Sequence, residues 1–306
     1  MEKIRKKFFR AYVKFFLRSY PNIWLGRIIF GNDGGIYSNL IGEYISWKNR
    51  VFSNPPQAKS NVSLDGSISL KEKGYLLNSN LVGSKIIEEI SSQWDKYCSD
   101  KPVPADGRFQ LSSEEDAYMM KKIFPSIEQC ISEELQQIIE SFYQANMNIL
   151  NYHVYRIFGN EDNSNGSLYG STASWHNDGS TSESLKLFFM LSDIQDLTDG
   201  PTAVLDIDQT KKLVRSKHFE FPDKEGSTAS IIKNEYSPKM MTGNKGTAFI
   251  ARTNQCLHAA TIPDKGKTRD LLVFYITSST KKRNIKDQIS NARYDQLLGL
   301  KRLFLD

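Results

Sequence analysis

Two stretches in the first half of the chain place apolar residues at the three- and four-residue spacing of a buried helix face. The first runs from about Ser84 to Cys98 and the second from about Pro125 to Ala145. From residue 149 the pattern changes to short runs of aromatic and branched residues, separated by turn signals and typical of strands. These runs are Ile149–Phe158, Leu185–Ile194, Thr247–Ala251 and Asp270–Thr277. Helices followed by strands predict an α+β protein, with a curved antiparallel sandwich or barrel supported by helices on one face.

The remaining segments complete a single domain over residues 32–306, with the strand-rich core at about 149–278. Residues 31–66 are rich in Gly, Asn, Ser and Pro and are expected to be irregular. The stretch Gly66–Leu77 alternates enough to predict one or two short strands, and Ile285–Phe304 a terminal helix. Residues 206–244 are polar and poorly periodic, which indicates an insertion into the core.

Positive charge is concentrated at the N-terminus. Residues 1–31 hold eight of the 40 Lys and Arg residues but one of the 35 Asp and Glu residues, so their net charge is +7 while the rest of the chain is −2. On a helical wheel, residues 3–20 divide into an aromatic face and a cationic face, with Arg5 and Leu17 as exceptions. This pattern predicts a helix that lies on an anionic membrane surface through residues 1–22. The alternatives are a helix docked on its own domain and a helix that binds a partner protein.

Composition and cysteine usage exclude several classes of protein. The three cysteines are odd in number, widely spaced and not arranged as CxxC, which argues against a disulfide framework and against a cysteine zinc site. Apolar runs are shorter than the roughly 20 residues of a spanning helix, and charges interrupt every candidate secretory signal. Because basicity is confined to one segment, we expect no nucleic-acid partner. We expect a cytoplasmic protein associated peripherally with the inner membrane.

Candidate chemistry centres on two of the four histidines. His176 and Asp178 are two residues apart, so on an extended backbone both side chains project to the same face. Such a pair alone is weak evidence, because four histidines give roughly one chance in five of an HxD somewhere. His258, however, directly follows a predicted strand, and Arg269 opens the next one. Two histidines and one carboxylate with open positions form the facial triad of non-haem iron oxygenases, and an arginine fork suits the far carboxylate of a keto acid.

Several segments in this order resemble the phytanoyl-CoA dioxygenase-like branch of the Fe(II)/2-oxoglutarate oxygenases. The resemblance spans about residues 149–278 and rests on Tyr155-Arg156, Trp175–Asp178, Lys186–Asp193, Gly200–Thr202, Lys245–Phe249, His258 and Arg269. It implies a double-stranded β-helix (jelly-roll or cupin-like) core buttressed by helices. It also implies Fe(II), 2-oxoglutarate and O2, with ascorbate as a reductant and succinate and CO2 as co-products.

The resemblance also implies residue roles. His176, Asp178 and His258 would bind iron and act in catalysis, and Arg269 would bind 2-oxoglutarate. Three further residues, each of which could equally be core or surface, are candidates for hydrogen bonds to 2-oxoglutarate: Tyr155, Lys186 and Thr261.

Three other residues lie outside the predicted set of ligands. Trp175 would either wall the pocket or simply pack in the core. His153 is a rival metal ligand, although a lone strand histidine is more often structural. His218 has no carboxylate at a ligand spacing and is left out.

The substrate has to be predicted on other grounds. The chain ends Leu303-Phe304-Leu305-Asp306 and not in a peroxisomal Ser-Lys-Leu signal, which argues against phytanoyl-CoA. Bacterial Kdo hydroxylases, which oxidise a sugar acid on the lipid A-linked inner core, resemble this combination of iron site and membrane helix. We therefore expect a hydroxylase acting on a lipid-linked glycan, with the Kdo sugar as substrate. Two alternatives remain, a non-catalytic β-sandwich that binds glycans and a membrane-recruited scaffold.

Overall fold

The computed structural model describes residues 46–53, 61–78, 84–113, 116–159, 175–178, 184–216, 227–290 and 292. The predicted N-terminal helix and His218 lie outside these residues. Seven helices have both ends described: α1 (Asn61–Glu72), α2 (Ser84–Ser99), α3 (Ala117–Ile123), α4 (Glu133–Tyr143), α5 (Ile207–Arg215), α6 (Ser227–Glu235) and α7 (Ile285–Ser290). Residues 46–52 are also helical. None of the described helices is long and apolar enough to cross a bilayer.

The described strands form two antiparallel sheets. They are β1 (Tyr75–Asn78), β2 (Arg108–Ser112), β3 (Asn146–Phe158), β4 (Leu185–Met190), β5 (Thr202–Val204), β6 (Lys239–Met241), β7 (Ala248–Ala251), β8 (His258–Ala260) and β9 (Thr268–Ser279). The major sheet has the order β1-β7-β4-β9-β3-β2 and the minor sheet the order β6-β5-β8. Val204 and Met241 of the minor sheet pack against Phe188 and Phe249 of the major sheet. Two facing sheets of this kind form the double-stranded β-helix that the resemblance implied.

The other face of the major sheet is covered by helices. Phe189 and Phe274 point to this face, where they share a core with Leu135 of α4 and Trp94 of α2. Successive residues of a strand face opposite sides, so the same strands present a second apolar set to the minor sheet. The helices predicted to buttress the sheet therefore lie on one side, and the space between the two sheets is left for the functional site.

A β-bulge in β3 decides which of its side chains enter that space. The pairing with β9 shifts register around Leu150, which has no partner residue. Ile149 packs on the helix side before the bulge and Tyr152 packs there after it. Because the extra residue breaks the alternation, His153 and Tyr155 face the minor sheet.

Two predictions are wrong and a third element is divided. Residues 31–66, expected to be irregular, include the helix over residues 46–52 and the first half of α1. Most of the stretch predicted as short strands, Gly66–Leu77, belongs to α1, and the strand begins only at Tyr75. Helix α1 packs closely on α4 at Gly66, where a Cβ would lie 3.1 Å from Ile138. The predicted helix from Pro125 contains a 3-10 turn before α4, which starts where the Ser132 hydroxyl accepts a hydrogen bond from the Leu135 amide. Tertiary contact thus outweighed a weak local pattern.

The segment predicted as an insertion, residues 206–244, contains helices α5 and α6 and strand β6. Strand β6 pairs with β5, with Met241 opposite Thr202. Part of this segment is therefore built into the minor sheet.

A buried ion pair joins the helix side to the middle of the major sheet. Arg156 donates to both carboxylate oxygens of Asp270, over 2.8 and 2.7 Å, and the Trp94 indole donates to one of them over 3.3 Å. Arg156 also contacts Asp95 of α2. The Arg156 and Asp270 side chains are only 14% and 5% exposed, and burial raises the pKa of Asp270.

Replacing Arg156 with alanine should therefore leave a buried carboxylate without its main partner. We expect the free energy of unfolding at neutral pH to fall by about 3–5 kcal/mol, measured by urea denaturation. The double substitution Arg156→Met with Asp270→Leu should recover much of this loss, because it removes both charges. An unchanged urea midpoint in Arg156→Ala would show that Arg156 is not the main stabilising partner of the Asp270 carboxylate.

Candidate metal centre

His176, Asp178 and His258 meet at one end of the minor sheet. His176 extends this sheet by pairing with His258, through backbone N–O distances of 3.0 and 2.9 Å. Two residues later, the Asp178 amide donates to the Thr253 carbonyl over 2.8 Å. Atoms of the three side chains that could bind a metal lie within 4.8 Å of one another. The structure thus brings together the three residues that the sequence singled out.

The imidazole of His258 is oriented by the chain that precedes it. Its Nδ1 lies 3.1 Å from the Cys256 carbonyl, which can only accept a hydrogen bond, so Nδ1 carries the proton. The Nε2 atom, 4.0 Å from an Asp178 carboxylate oxygen, then keeps its lone pair. Burial lowers the pKa of His258, so the ring is neutral at physiological pH. A neutral, oriented imidazole is the form that binds a metal cation.

Asp178 is held ionised by a lysine of the major sheet. The Lys186 ammonium lies 2.7 Å from Asp178 Oδ2 and 4.8 Å from the centre of the Tyr275 ring. Burial raises the pKa of Asp178, but the charge and hydrogen bond of Lys186 outweigh this effect, so the pKa lies below its ordinary value. The lysine, with a hydrogen bond from the Thr253 side chain, therefore orients the Asp178 carboxylate.

Arg269 is completely buried on the face of β9 that looks towards the minor sheet. Its Nη1 donates to the carbonyl of Gly200 and, over 3.2 Å, to that of Thr261. The Thr261 hydroxyl donates to the Pro201 carbonyl over 2.6 Å. The guanidinium is therefore held by the turn before β5 and the chain that follows β8.

Tyr155 lies within the influence of the same cations. Burial raises its pKa, whereas the charges of Arg269, Arg108 and Lys186 oppose this rise. Three of the residues assigned to 2-oxoglutarate by resemblance, Tyr155, Lys186 and Arg269, are thus electrostatically coupled between the sheets.

Comparison with known proteins bears on the fold. Neither a protein-family model nor a curated protein matches the sequence. The structure of EctD from S. alaskensis with bound Fe is similar, with a TM-score of 0.52 and 12% identity over 74% of this chain and 80% of that chain. HygX from Streptomyces hygroscopicus, with nickel and 2-oxoglutarate bound, gives a TM-score of 0.50 and 14% identity over 72% and 88%. This chain shares their fold. The predicted jelly-roll core is thereby confirmed.

EctD is also known in a structure with 2-oxoglutarate and 5-hydroxyectoine, which gives a TM-score of 0.51 and 12% identity over 75% of this chain and 80% of that chain. At such low identity the likeness establishes the architecture alone. What this chain binds must be argued from its own residues.

The sequence left the role of Trp175 open and did not indicate two backbone carbonyls near the metal centre. Trp175 packs with Leu213 of α5 and Ile232 of α6, which supports its interpretation as a core residue. The carbonyls of Cys256 and Gly200, which orient His258 and Arg269, were missed. Backbone groups have no residue-type signal, and only the turn at Gly200 could have suggested one of them.

Gly200 is constrained both by its conformation and by close packing. Its φ is +73°, and a Cβ there would lie 2.7 Å from Pro263. Gly200→Ala should lower the free energy of unfolding by about 1–3 kcal/mol, measured by urea denaturation, because backbone strain and the steric clash act together.

Gly266→Ala is the matched control, since φ is +82° but a Cβ would meet no atom within 4 Å. It should cost only the conformational part, about 1 kcal/mol. Equal losses in the two variants would show that contact with Pro263 is unimportant.

Proposed function

We propose that this chain is an Fe(II)- and 2-oxoglutarate-dependent hydroxylase, with iron bound by His176, Asp178 and His258. The observation that carries the proposal is the convergence of their ligand atoms within 4.8 Å. Two imidazoles and one carboxylate, with further positions open, suit Fe(II) that must also bind a keto acid and O2. The fold shared with EctD and HygX, whose structures hold Fe or nickel, supports the same assignment.

Arg269 is proposed to bind the distal carboxylate of 2-oxoglutarate. A buried guanidinium between the sheets favours a dianionic co-substrate, and its planar fork matches a carboxylate. Tyr155 supplies a phenol, and the charge of Arg269 opposes the rise that burial causes in its pKa. The Thr261 carbonyl accepts a hydrogen bond from the guanidinium and so helps to fix it. Bound together, Fe(II) and 2-oxoglutarate supply the O2-dependent oxidation of a substrate C–H bond, releasing succinate and CO2.

The chain's own residues would contribute orientation, charge and exclusion of water. The Cys256 carbonyl holds the His258 ring in one tautomer, and Lys186 keeps Asp178 a carboxylate. Buried apolar side chains such as Phe188 and Leu271 form the floor between the sheets. These groups prepare the site without taking part in bond making.

The test is anaerobic reconstitution of the full chain with Fe(II) and 2-oxoglutarate, followed by O2, with ascorbate as reductant. Lipid-linked glycans are screened for substrate-dependent succinate and a mass gain of one oxygen, with His176→Ala as the inactive control. A chain that binds neither Fe(II) nor 2-oxoglutarate but retains glycans would instead be a binding module.

We further propose that the substrate is presented at an anionic membrane surface, and that it is the Kdo sugar of the lipid A-linked inner core. The support is the sequence of residues 1–22, with its aromatic and cationic faces. Basic residues near an anionic bilayer each contribute about 1 kcal/mol to binding. The protein would then work at the cytoplasmic face of the inner membrane.

Removal of residues 1–22 should release the protein from sedimenting anionic vesicles, because the cationic face is lost. Protein-free vesicles of neutral lipid serve as the control, and the full chain should not sediment with them. Protein-free vesicles also separate lipid binding from recruitment by a partner protein. A truncated chain that sediments like the full chain would defeat the anchoring proposal.

A further inference from the structure

Polar side chains cross the major sheet from its edge to the metal centre. Adjacent contacts link strands β2, β3, β9 and β4, all on the face that looks towards the minor sheet. The side chains are, in order, Arg108, Gln110, His153, Tyr275 and Lys186. The inner end of this row reaches Asp178 through Lys186. Its outer end, on edge strand β2, belongs to no group already assigned.

The hydrogen bonds at the outer end have a defined direction. Arg108 can only donate, so the Gln110 oxygen accepts from it and the Gln110 amide nitrogen faces His153 Nδ1 at 3.3 Å. That nitrogen donates, so Nδ1 is the acceptor and His153 Nε2 carries the ring proton. Among the described residues, the buried atoms His153 Nε2 and Arg108 Nε have no hydrogen-bond partner. Two donors are thus left for an acceptor that the described part of the chain does not provide.

The charged groups that act on His153 are cations. Burial, together with the charges of Lys186 and Arg108, lowers the pKa of His153 to about 4, so the ring is neutral at physiological pH. No described carboxylate appears among the groups that shift it. Lys186 is paired with Asp178, whereas Arg108 is paired with the neutral amide of Gln110. The Arg108 guanidinium is therefore a cation with a neutral side-chain partner, although the Asp106 carboxylate accepts a hydrogen bond from the Arg108 backbone amide over 3.2 Å.

We propose that Arg108, Gln110 and His153 form a subsite that binds an acidic group, a carboxylate or a phosphate, of the primary substrate. The inference rests on the proposed function, since it names the substrate class of the same site. Gln110 positions both donors, Arg108 supplies the charge and His153 a neutral donor. The subsite adjoins the 2-oxoglutarate site, because the Arg108 guanidinium carbon lies 5.0 Å from the centre of the Tyr155 ring. The two sites differ in that Arg269 is completely buried whereas Arg108 is half-buried on the outermost strand.

Binding to the full chain, loaded anaerobically with Fe(II) and 2-oxoglutarate, tests this directly. Calorimetry compares two matched pairs that differ in charge, gluconate with gluconamide and glucose 6-phosphate with glucose. We expect at least one acid to bind about tenfold more tightly than its neutral partner, and the preferred acid identifies the carboxylate or phosphate source. Binding of neither acid, or equal binding within both pairs, would overturn the proposal.

Substitutions test which residues cause the tighter binding of the acid. Arg108→Gln should weaken binding of the preferred acid by roughly 10- to 100-fold, because a hydrogen bond to a charged group is lost. His153→Phe should also weaken it, whereas His153→Gln, which can present an N–H near the same place, should retain part of the affinity. Arg215→Gln, an exposed arginine on α5, is the control and should leave the affinity unchanged. Equal affinity in Arg108→Gln and Arg215→Gln would overturn the proposal.

The visible absorption of the Fe(II)–2-oxoglutarate chelate is recorded for each variant. Its absence from the unmodified chain would defeat the proposed function, while acid binding that depends on Arg108 would still stand. If Arg108→Gln weakened 2-oxoglutarate binding as strongly as acid binding, Arg108 would belong to the co-substrate site and the separate subsite would be excluded.

Discussion

Asp178→Ala should abolish 2-oxoglutarate turnover and reduce Fe(II) affinity by more than about 100-fold. Changes to groups that merely hydrogen-bond to a metal ligand already cost roughly 10- to 100-fold, so loss of a ligand should exceed this. The substitution also leaves the partly buried Lys186 ammonium without its carboxylate, 2.7 Å away in the unmodified protein, which adds positive charge beside the metal site. Succinate production and calorimetric Fe(II) titration measure the two effects.

Asp208→Ala provides the control for this substitution, since its side chain on α5 is 91% exposed. Turnover and metal affinity should be unchanged in that variant. Wild-type turnover in Asp178→Ala would remove the basis of the oxygenase assignment, however well the remaining histidines are placed.

Arg269→Ala should raise the dissociation constant of 2-oxoglutarate by about 100-fold, because each hydrogen bond to a charged group contributes about 1.5–3 kcal/mol. Titration of the Fe(II)–2-oxoglutarate absorption gives this constant. The variant should also unfold at lower urea concentration, since the carbonyls of Gly200 and Thr261 lose their donor.

Arg269→Lys separates co-substrate binding from folding. A lysine keeps the charge but not the planar fork, so its affinity for 2-oxoglutarate should lie between those of alanine and arginine. Arg215→Gln is the control. A folded Arg269→Lys or Arg269→Ala variant with unaltered affinity would show that another cation binds the co-substrate.

Strong periodicity and residue chemistry made much of the fold predictable. Strands β3 and β9 are long, apolar on the helix side and bounded by turn signals, so their positions were found to within a few residues. His176 and Asp178 stood out because an alternating backbone aims both at one point. Helix α1 was not predictable in this way, because its place depends on Gly66 fitting against Ile138 of another helix.

The details that prepare the centre depend on distant or backbone groups. Lys186 was assigned to 2-oxoglutarate by resemblance, and its contact with Asp178 emerges only when β4 is placed beside the minor sheet. The His258 tautomer follows from a carbonyl, which every residue possesses. The sequence therefore located the ligands, while their orientation required three-dimensional pairing.

The unpaired Leu150 changes the alternation of faces along β3, the strand that carries His153 and Tyr155. A chain that lacked only this residue would form a regular ladder, with Asn151 opposite Tyr275 and Tyr152 opposite Phe274, and would still direct His153 and Tyr155 towards the minor sheet. A strand that kept all of its residues but paired without the bulge would instead turn both side chains towards the helical layer. Relatives of this protein are accordingly better aligned by which side of the sheet a residue occupies than by its distance along the chain.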